Sequence, residues 1–203
     1  MTKKSILYFP EYGESNTSAV TDVVRERLSE GGIEALVVAS TTGKTALGLA
    51  QQVRSESDLP IICVSDPPWA KYYPAITPDN RQALEKLEVE IVDRVPYASH
   101  SHSVGPCKNM YGAPDLRVML FDAFRLVGGQ GLKVAMEVGM MATDGGRVNP
   151  GAIILCVGGT ATGADCAIVM KAGFSVDLLS RKSERRPHVR EILAMPLKKK
   201  WRW

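Results

Sequence analysis

The chain has 203 residues, 45% hydrophobic and 23% charged, with a net charge of +3, which is the make-up of an ordinary globular protein and excludes a disordered or fibrous one. No apolar run reaches the roughly 20 residues that a membrane helix needs. The start, Met1-Thr2-Lys3-Lys4-Ser5, runs directly into strand-like sequence and leaves no room for a signal peptide; a cytoplasmic location and no membrane partner are expected.

The pattern alternates strand and helix in chain order. Residues 5–10 read as a first strand. Asn16 or Ser15 then caps a helix whose apolar stripe is Val20, Val23, Val24 and Leu28, and Gly31-Gly32 ends it. Residues 35–39 are continuously apolar, as in a strand covered on both faces. A second helix follows through Ala46, Leu47, Leu49, Ala50 and Val53, and residues 60–64 form another buried strand. Prolines 67, 68 and 74 break the pattern and leave a long loop carrying Trp69, Tyr72 and Tyr73. Thr77-Pro78 opens a helix to about Leu87, with proline at the first helical position, and residues 89–92 make a short strand. After an irregular polar stretch over 97–111, two helices are predicted. The first, over 114–127, has Leu116, Leu120, Ala123, Phe124 and Val127 inward. The second, over 130–143, is apolar nearly all round and therefore buried. Strands over 152–157 and 166–170 are joined by a glycine-rich loop. Residues 174–188 read as loop, and residues 191–197 as a last edge strand. This succession of βαβ units predicts an α/β fold with a mostly parallel sheet. Residues 1–197 form a single domain in this reading.

Charge and cysteine usage narrow the chemistry. Residues 171–203 carry ten Lys or Arg against three Asp or Glu, whereas residues 1–170 carry 15 against 19. The body is mildly acidic, and the basic end, Lys198-Lys199-Lys200-Trp201-Arg202-Trp203, reads as a solvated tail, so no nucleic-acid partner is expected. Cys63, Cys107, Cys156 and Cys166 form no C-x-x-C pair, and three of them lie in apolar runs. They read as reduced, structural residues, and no metal site is expected.

The most informative stretch is Ser40-Thr41-Thr42-Gly43-Lys44-Thr45, which follows a strand and opens a helix. Ligands of open α/β sheets bind at the carboxyl ends of strands. A helix start offers unpaired N–H groups and a positive dipole end to an anion. Gly43 lets backbone approach a ligand, the threonines add hydroxyls and Lys44 adds charge. Replacing Gly43 by a bulky residue is expected to remove phosphate binding with the fold intact. A full nucleotide P-loop would need glycine where Val38 stands. A second loop, Gly158-Gly159-Thr160-Ala161-Thr162-Gly163-Ala164-Asp165, has the glycines to wrap an anion in a backbone nest, or simply to reverse the chain.

On these two loops the chain resembles a known family. Residues 40–46 look like the Thr-x-Ser-Gly-[RK]-[ST]-Ala segment with which regulated pyruvate kinases grip a phosphate of their sugar-bisphosphate activator. The second loop lies where those enzymes carry the glycine-rich loop that folds over the same effector. The closer resemblance is to a family of stand-alone prokaryotic proteins with the pyruvate kinase C-terminal-domain fold. It is carried by Asn16-Thr17, residues 39–46, residues 129–137, residues 141–145, Val157-Gly158-Gly159-Thr160, Gly163-Ala164-Asp165 and residues 191–197. The resemblance implies a three-layer α/β/α sandwich with a mixed sheet, bound flavin mononucleotide (FMN), and self-association, without pyruvate kinase activity.

Further candidates surround these loops. Trp69, Tyr72 or Tyr73 are suited to covering a flavin ring. Lys133 and Glu137 form an i,i+4 pair on an otherwise apolar helix, either an ordinary ion pair or the lining of a polar cavity. His100 and His102 read as part of a polar surface loop. Glu11, Glu14, Ser15, Asn16 and Thr17 follow the first strand, at the carboxyl edge expected for the phosphate loop. The expected ligand is a small phosphate-bearing molecule, FMN first. The alternative is a non-catalytic sensor of a sugar phosphate or similar metabolite.

Overall fold

The computed structural model describes residues 3–67, 75–95 and 116–200, with the side chains of 116–118 excepted. Trp69, Tyr72, Tyr73, His100, His102, Cys107 and residues 201–203 lie outside the described residues. The strands are β1 (Leu7–Phe9), β2 (Ala35–Ala39), β3 (Ile61–Val64), β4 (Val89–Val92), β5 (Ile153–Gly158), β6 (Cys166–Lys171) and β7 (His188–Pro196). The helices are α1 (Thr17–Ser29), α2 (Lys44–Val53), α3 (Pro78–Lys86) and α4 (Leu116–Asp144).

The seven strands form one sheet in the order β1-β7-β6-β5-β2-β3-β4. Every neighbouring pair is parallel except those made by β6, which runs antiparallel to β5 and β7. Strand β7 was expected at an edge. It lies inside the sheet, because the first strand of the chain pairs with it and takes the edge. That pairing joins the two ends of the chain, so local pattern could not reveal it.

Alternation along the strands divides the core in two. Leu36, Val38, Ile61, Cys63, Leu155, Val157, Ala167 and Val169 share one cluster with Val20 and Val24 of α1, Ala46, Leu49 and Val53 of α2, and Leu84 of α3. Their strand neighbours Val37, Ile62, Val64, Ile154, Cys156, Ile168 and Met170 share the other with α4. From β1 to β2, β3 and β4 the chain progresses in one direction across the sheet through α1, α2 and α3. It then returns to β5 through α4 in the other cluster. One hand of crossover explains both halves. Cys63, Cys156 and Cys166 are buried free thiols; burial pushes Cys63 up to about 12 and the other two higher still, so none is a ready nucleophile.

The two helices expected over 114–127 and 130–143 are one helical stretch broken at Gly129 (φ 77°, ψ −170°). The inward face of the first half differs from the expectation. Phe121 and Asp122 are buried, Ala123 is exposed, and Val127 is 58% exposed. Among the described side chains of this half, Phe121 is buried and Phe124 packs partly buried against the same core, as expected of it; the second half, packed on the sheet, carries Leu132, Ala135, Met136, Val138 and Met140.

Candidate functional site

The parallel arrangement brings the loops after β1, β2, β3, β5 and β7 to one edge of the sheet, as does the start of the antiparallel β6. The two glycine loops singled out by sequence therefore lie at the same end.

The loop over 40–45 is braced from below. Ser40 is buried, and its hydroxyl accepts the Ala46 N–H at 3.2 Å. Ser65 donates its hydroxyl to the Thr41 carbonyl at 2.7 Å, and the Asn80 side-chain amide donates to the Thr42 carbonyl at 2.9 Å. The Gly43 N–H closes back on the Ser40 carbonyl at 3.2 Å. Gly43 (φ 88°) is the left-handed residue from which α2 departs. A Cβ there would meet Asn80, Ile76 and Leu84 at 3.0, 3.2 and 3.3 Å. Its missing side chain lets Ile76 and α3 approach, a packing role in addition to the ligand approach expected of it. Lys44 and Thr45 begin α2, so their N–H groups have no carbonyl one turn earlier to bond. Thr41, Thr42 and Thr45 are half-buried, and the Lys44 side chain is 78% exposed.

The loop after β1 joins the two glycine loops. Lys44 Nζ pairs with Glu14 Oε1 at 3.0 Å. That pairing first, with help from the Thr162 side chain, holds the Glu14 carboxyl below its usual range. Thr17 donates its hydroxyl to the Glu14 carbonyl at 2.7 Å and accepts the Ala164 N–H at 3.0 Å. Asn16 does not cap α1 with its side chain; its Nδ2 donates to the Glu11 carbonyl at 2.9 Å, and a 3-10 turn over Glu14–Asn16 leads into the helix instead.

In the loop over 158–165 the glycines are filled by protein. A Cβ on Gly158 would lie 2.3 Å from the Gly131 carbonyl oxygen and 2.6 Å from the Ala135 nitrogen. One on Gly159 would lie 2.1 Å from the Gly163 carbonyl oxygen, and one on Gly163 2.4 Å from Thr17 Oγ1. Thr160 and Asp165 point inward and are buried. Asp165 Oδ2 accepts the Gly13 N–H at 2.9 Å. Oδ1 faces Gly131 just past the α4 break, and neither it nor Thr160 Oγ1 has a hydrogen-bond partner of ordinary geometry among the described residues. Burial raises the Asp165 pKa, against the opposing pull of Thr160, the Gly13 amide and Lys199.

Lys133 and Glu137 are both buried and paired within α4, and Lys133 Nζ lies 5.5 Å from the Phe121 ring centre. They sit in the α4 core, on the face opposite α1–α3, and so stand apart from Lys44. Of the tail, residues 198–200 are described; Lys198 is exposed as expected, and all three also contact the body. Lys198 pairs with Glu11 at 3.0 Å, Lys200 lies over the Tyr12 ring at 5.5 Å, and the backbone of Lys199 packs against Gly129. Because β7 runs parallel to β1, these lysines emerge at the edge that carries the glycine loops. No local signal encodes that, nor the bracing by Ser65 and Asn80.

No family model matches the chain.

Proposed function

We propose that this protein binds a small phosphate-bearing molecule, FMN first, with its phosphate on residues 41–45, and that its fold is the three-layer sandwich of the pyruvate kinase C-terminal domain. The observation that carries the ligand reading is the braced start of α2. Its carbonyls are tied down by Ser65 and Asn80, while the Lys44 and Thr45 N–H groups, three threonine hydroxyls and an exposed lysine lie at the strand ends. The fold reading rests on the two cores either side of one mixed sheet.

The residues fit a phosphate better than they fit a ring. Thr41, Thr42, Lys44 and Thr45 would hold the dianion, and Lys44 would exchange its Glu14 partner for it. Gly158, Gly159, Thr160 and Gly163 would form the wall beside it, with Asp165 anchoring that wall to Gly13. A bound flavin would supply electron-transfer chemistry; the residues named here hold and orient it. A sugar-phosphate sensor is the second reading. It needs no slot for a flat ring, and it is favoured by Tyr12, the aromatic side chain of the loop after β1, being covered by Lys200.

Calorimetric titration with FMN, riboflavin and a sugar phosphate tests both readings. FMN binding at least about tenfold tighter than riboflavin, and weakened as much by Lys44→Ala, is the expected result. Equal affinity for FMN and riboflavin overturns the phosphate assignment. Binding of the sugar phosphate without FMN transfers the assignment to the second reading.

A further inference from the structure

The opposite edge of the sheet carries a feature that the candidate site does not use. Strand β6 ends at Lys171 and β7 begins at His188. The chain between them is tied into two 3-10 turns, Ser175–Asp177 and Ser183–Arg185. The Ser175 N–H donates to Asp144 Oδ1 at 3.1 Å, fixing the first turn to the end of α4. Buried Asp177 pairs with Arg185 at 3.0 Å, and the Arg186 guanidinium donates to the Ser180 carbonyl.

Asp177 and Leu178 face inward, Leu178 onto the α4 core. Val176 and Leu179 are left outside, 84% and 65% exposed. Val176 lies in the first 3-10 turn and Leu179 two residues past its end, in the turn closed by the Ser180 N–H on the Asp177 carbonyl, so two exposed aliphatic side chains stand within four residues. Cations dominate the same loop: Arg185 is tied to Asp177 and Arg186 to the Ser180 carbonyl, and Glu184 is its one exposed carboxylate. Exposed Arg181 and Lys182 follow directly in the chain.

We propose that this loop docks the protein on an anionic lipid surface, with Val176 and Leu179 entering the headgroup layer and the four cations meeting lipid charge. Exposed aliphatic side chains in a loop rich in Lys and Arg suit the interface between headgroups and acyl chains. With four Lys or Arg against exposed Glu184, the net positive charge of the loop disfavours pairing with a second copy of itself. Stacking on nucleic acid bases calls for aromatic rings, and Phe174, the aromatic residue here, is half-buried. Peripheral contact needs no spanning helix, and none of the described helices is long and apolar enough to span. Because the loop lies opposite the strand ends that carry residues 40–45, docking leaves that edge open to solvent.

Co-sedimentation of the full chain with vesicles decides the matter. The protein should pellet with phosphatidylcholine vesicles containing about one-third phosphatidylserine and not with phosphatidylcholine alone. Arg181→Glu with Lys182→Glu should weaken binding at least about tenfold, since each cation near a charged leaflet counts for roughly fivefold. Val176→Ser with Leu179→Ser should also weaken it at unchanged charge. Both double variants change exposed side chains, and unaltered circular dichroism and melting establish that they fold. Failure to pellet with anionic vesicles overturns the proposal. So does undiminished binding of the Val176/Leu179 variant, or tighter binding to single-stranded RNA than to the vesicles.

Discussion

The loop after β2 and the loop after β5 are built from the same few residue types, and they turn them in opposite directions. Over 40–45 the Lys44 side chain is exposed and those of Thr41, Thr42 and Thr45 are half-buried, while neighbouring elements hold the backbone. Over 158–165 Thr160 and Asp165 are inside, and the three glycines are pressed against other backbone. Glycine beside threonine is thus no sign of an open anion nest by itself. What decides is whether the loop's polar side chains reach the surface or are enclosed: Thr160 Oγ1 and Asp165 Oδ1 are unpartnered among the described residues yet buried. The first loop has donors to offer a ligand; the second is a clamp that joins β5 and β6 to α4 and to the loop after β1.

The contrast can be broken most sharply at Gly158. Gly158→Ala drives a Cβ into the Gly131 carbonyl and the Ala135 nitrogen, neither of which can yield as a side-chain tip would. A loss of about 3 kcal/mol in denaturant unfolding is expected; a loss under about 0.5 kcal/mol would make the loop adaptable rather than a clamp. Gly43→Val comes next. Its Cβ meets Asn80, Ile76 and Leu84 in a left-handed backbone, so destabilisation of about 2 kcal/mol is expected together with loss of phosphate ligand. This replaces the expectation that the fold would be spared, and leaves Lys44→Ala, at an exposed side chain, as the cleaner probe of the site.

Asp165 gives a smaller, pH-dependent effect. Burial raises its folded pKa, so the folded state holds a proton that the unfolded chain releases near pH 4. Stability then falls as the pH rises through the folded value. Measured against Asp165→Asn, the wild type should be relatively most stable below about pH 4 and lose ground above it; a constant gap would place the carboxylate in a solvated setting. The mildest test is Ala161, which holds φ 69° at an exposed position of the same loop. Ala161→Gly should stabilise by about 0.5 kcal/mol, the relief of a strained backbone less the added entropy of the unfolded chain. Destabilisation in thermal melting would instead mean that its methyl group packs.

Much of this was legible along the chain. The bounds of β2 and β4, the start of α2 after Gly43, the Thr77 cap that accepts the Asn80 N–H at 3.2 Å, and the break between the halves of α4 all follow from short-range pattern and cap chemistry. Others failed for identifiable reasons. Of Asn16 and Ser15, the two caps offered for α1, Asn16 holds the cap position, but its side chain turns to the Glu11 carbonyl and makes no cap bond because a 3-10 turn precedes the helix. Val127 was placed inward because periodicity gives the phase of a stripe but not whether a neighbour exists to cover it.

The amino-acid order alone determined which segments become strands and helices, that the sheet is mostly parallel, and that residues 40–45 stand at a strand's carboxyl end. Those are properties of neighbours in the chain, set by sterics and by hydrophobic period. Tertiary structure alone decided that β7 is an inner strand, that Lys198–Lys200 come to lie beside Glu11, Tyr12 and Gly129, and that Gly43 and Gly158 serve packing. Each depends on which distant backbone arrives within van der Waals reach, a matter of strand order and helix approach that no local stretch of residues encodes.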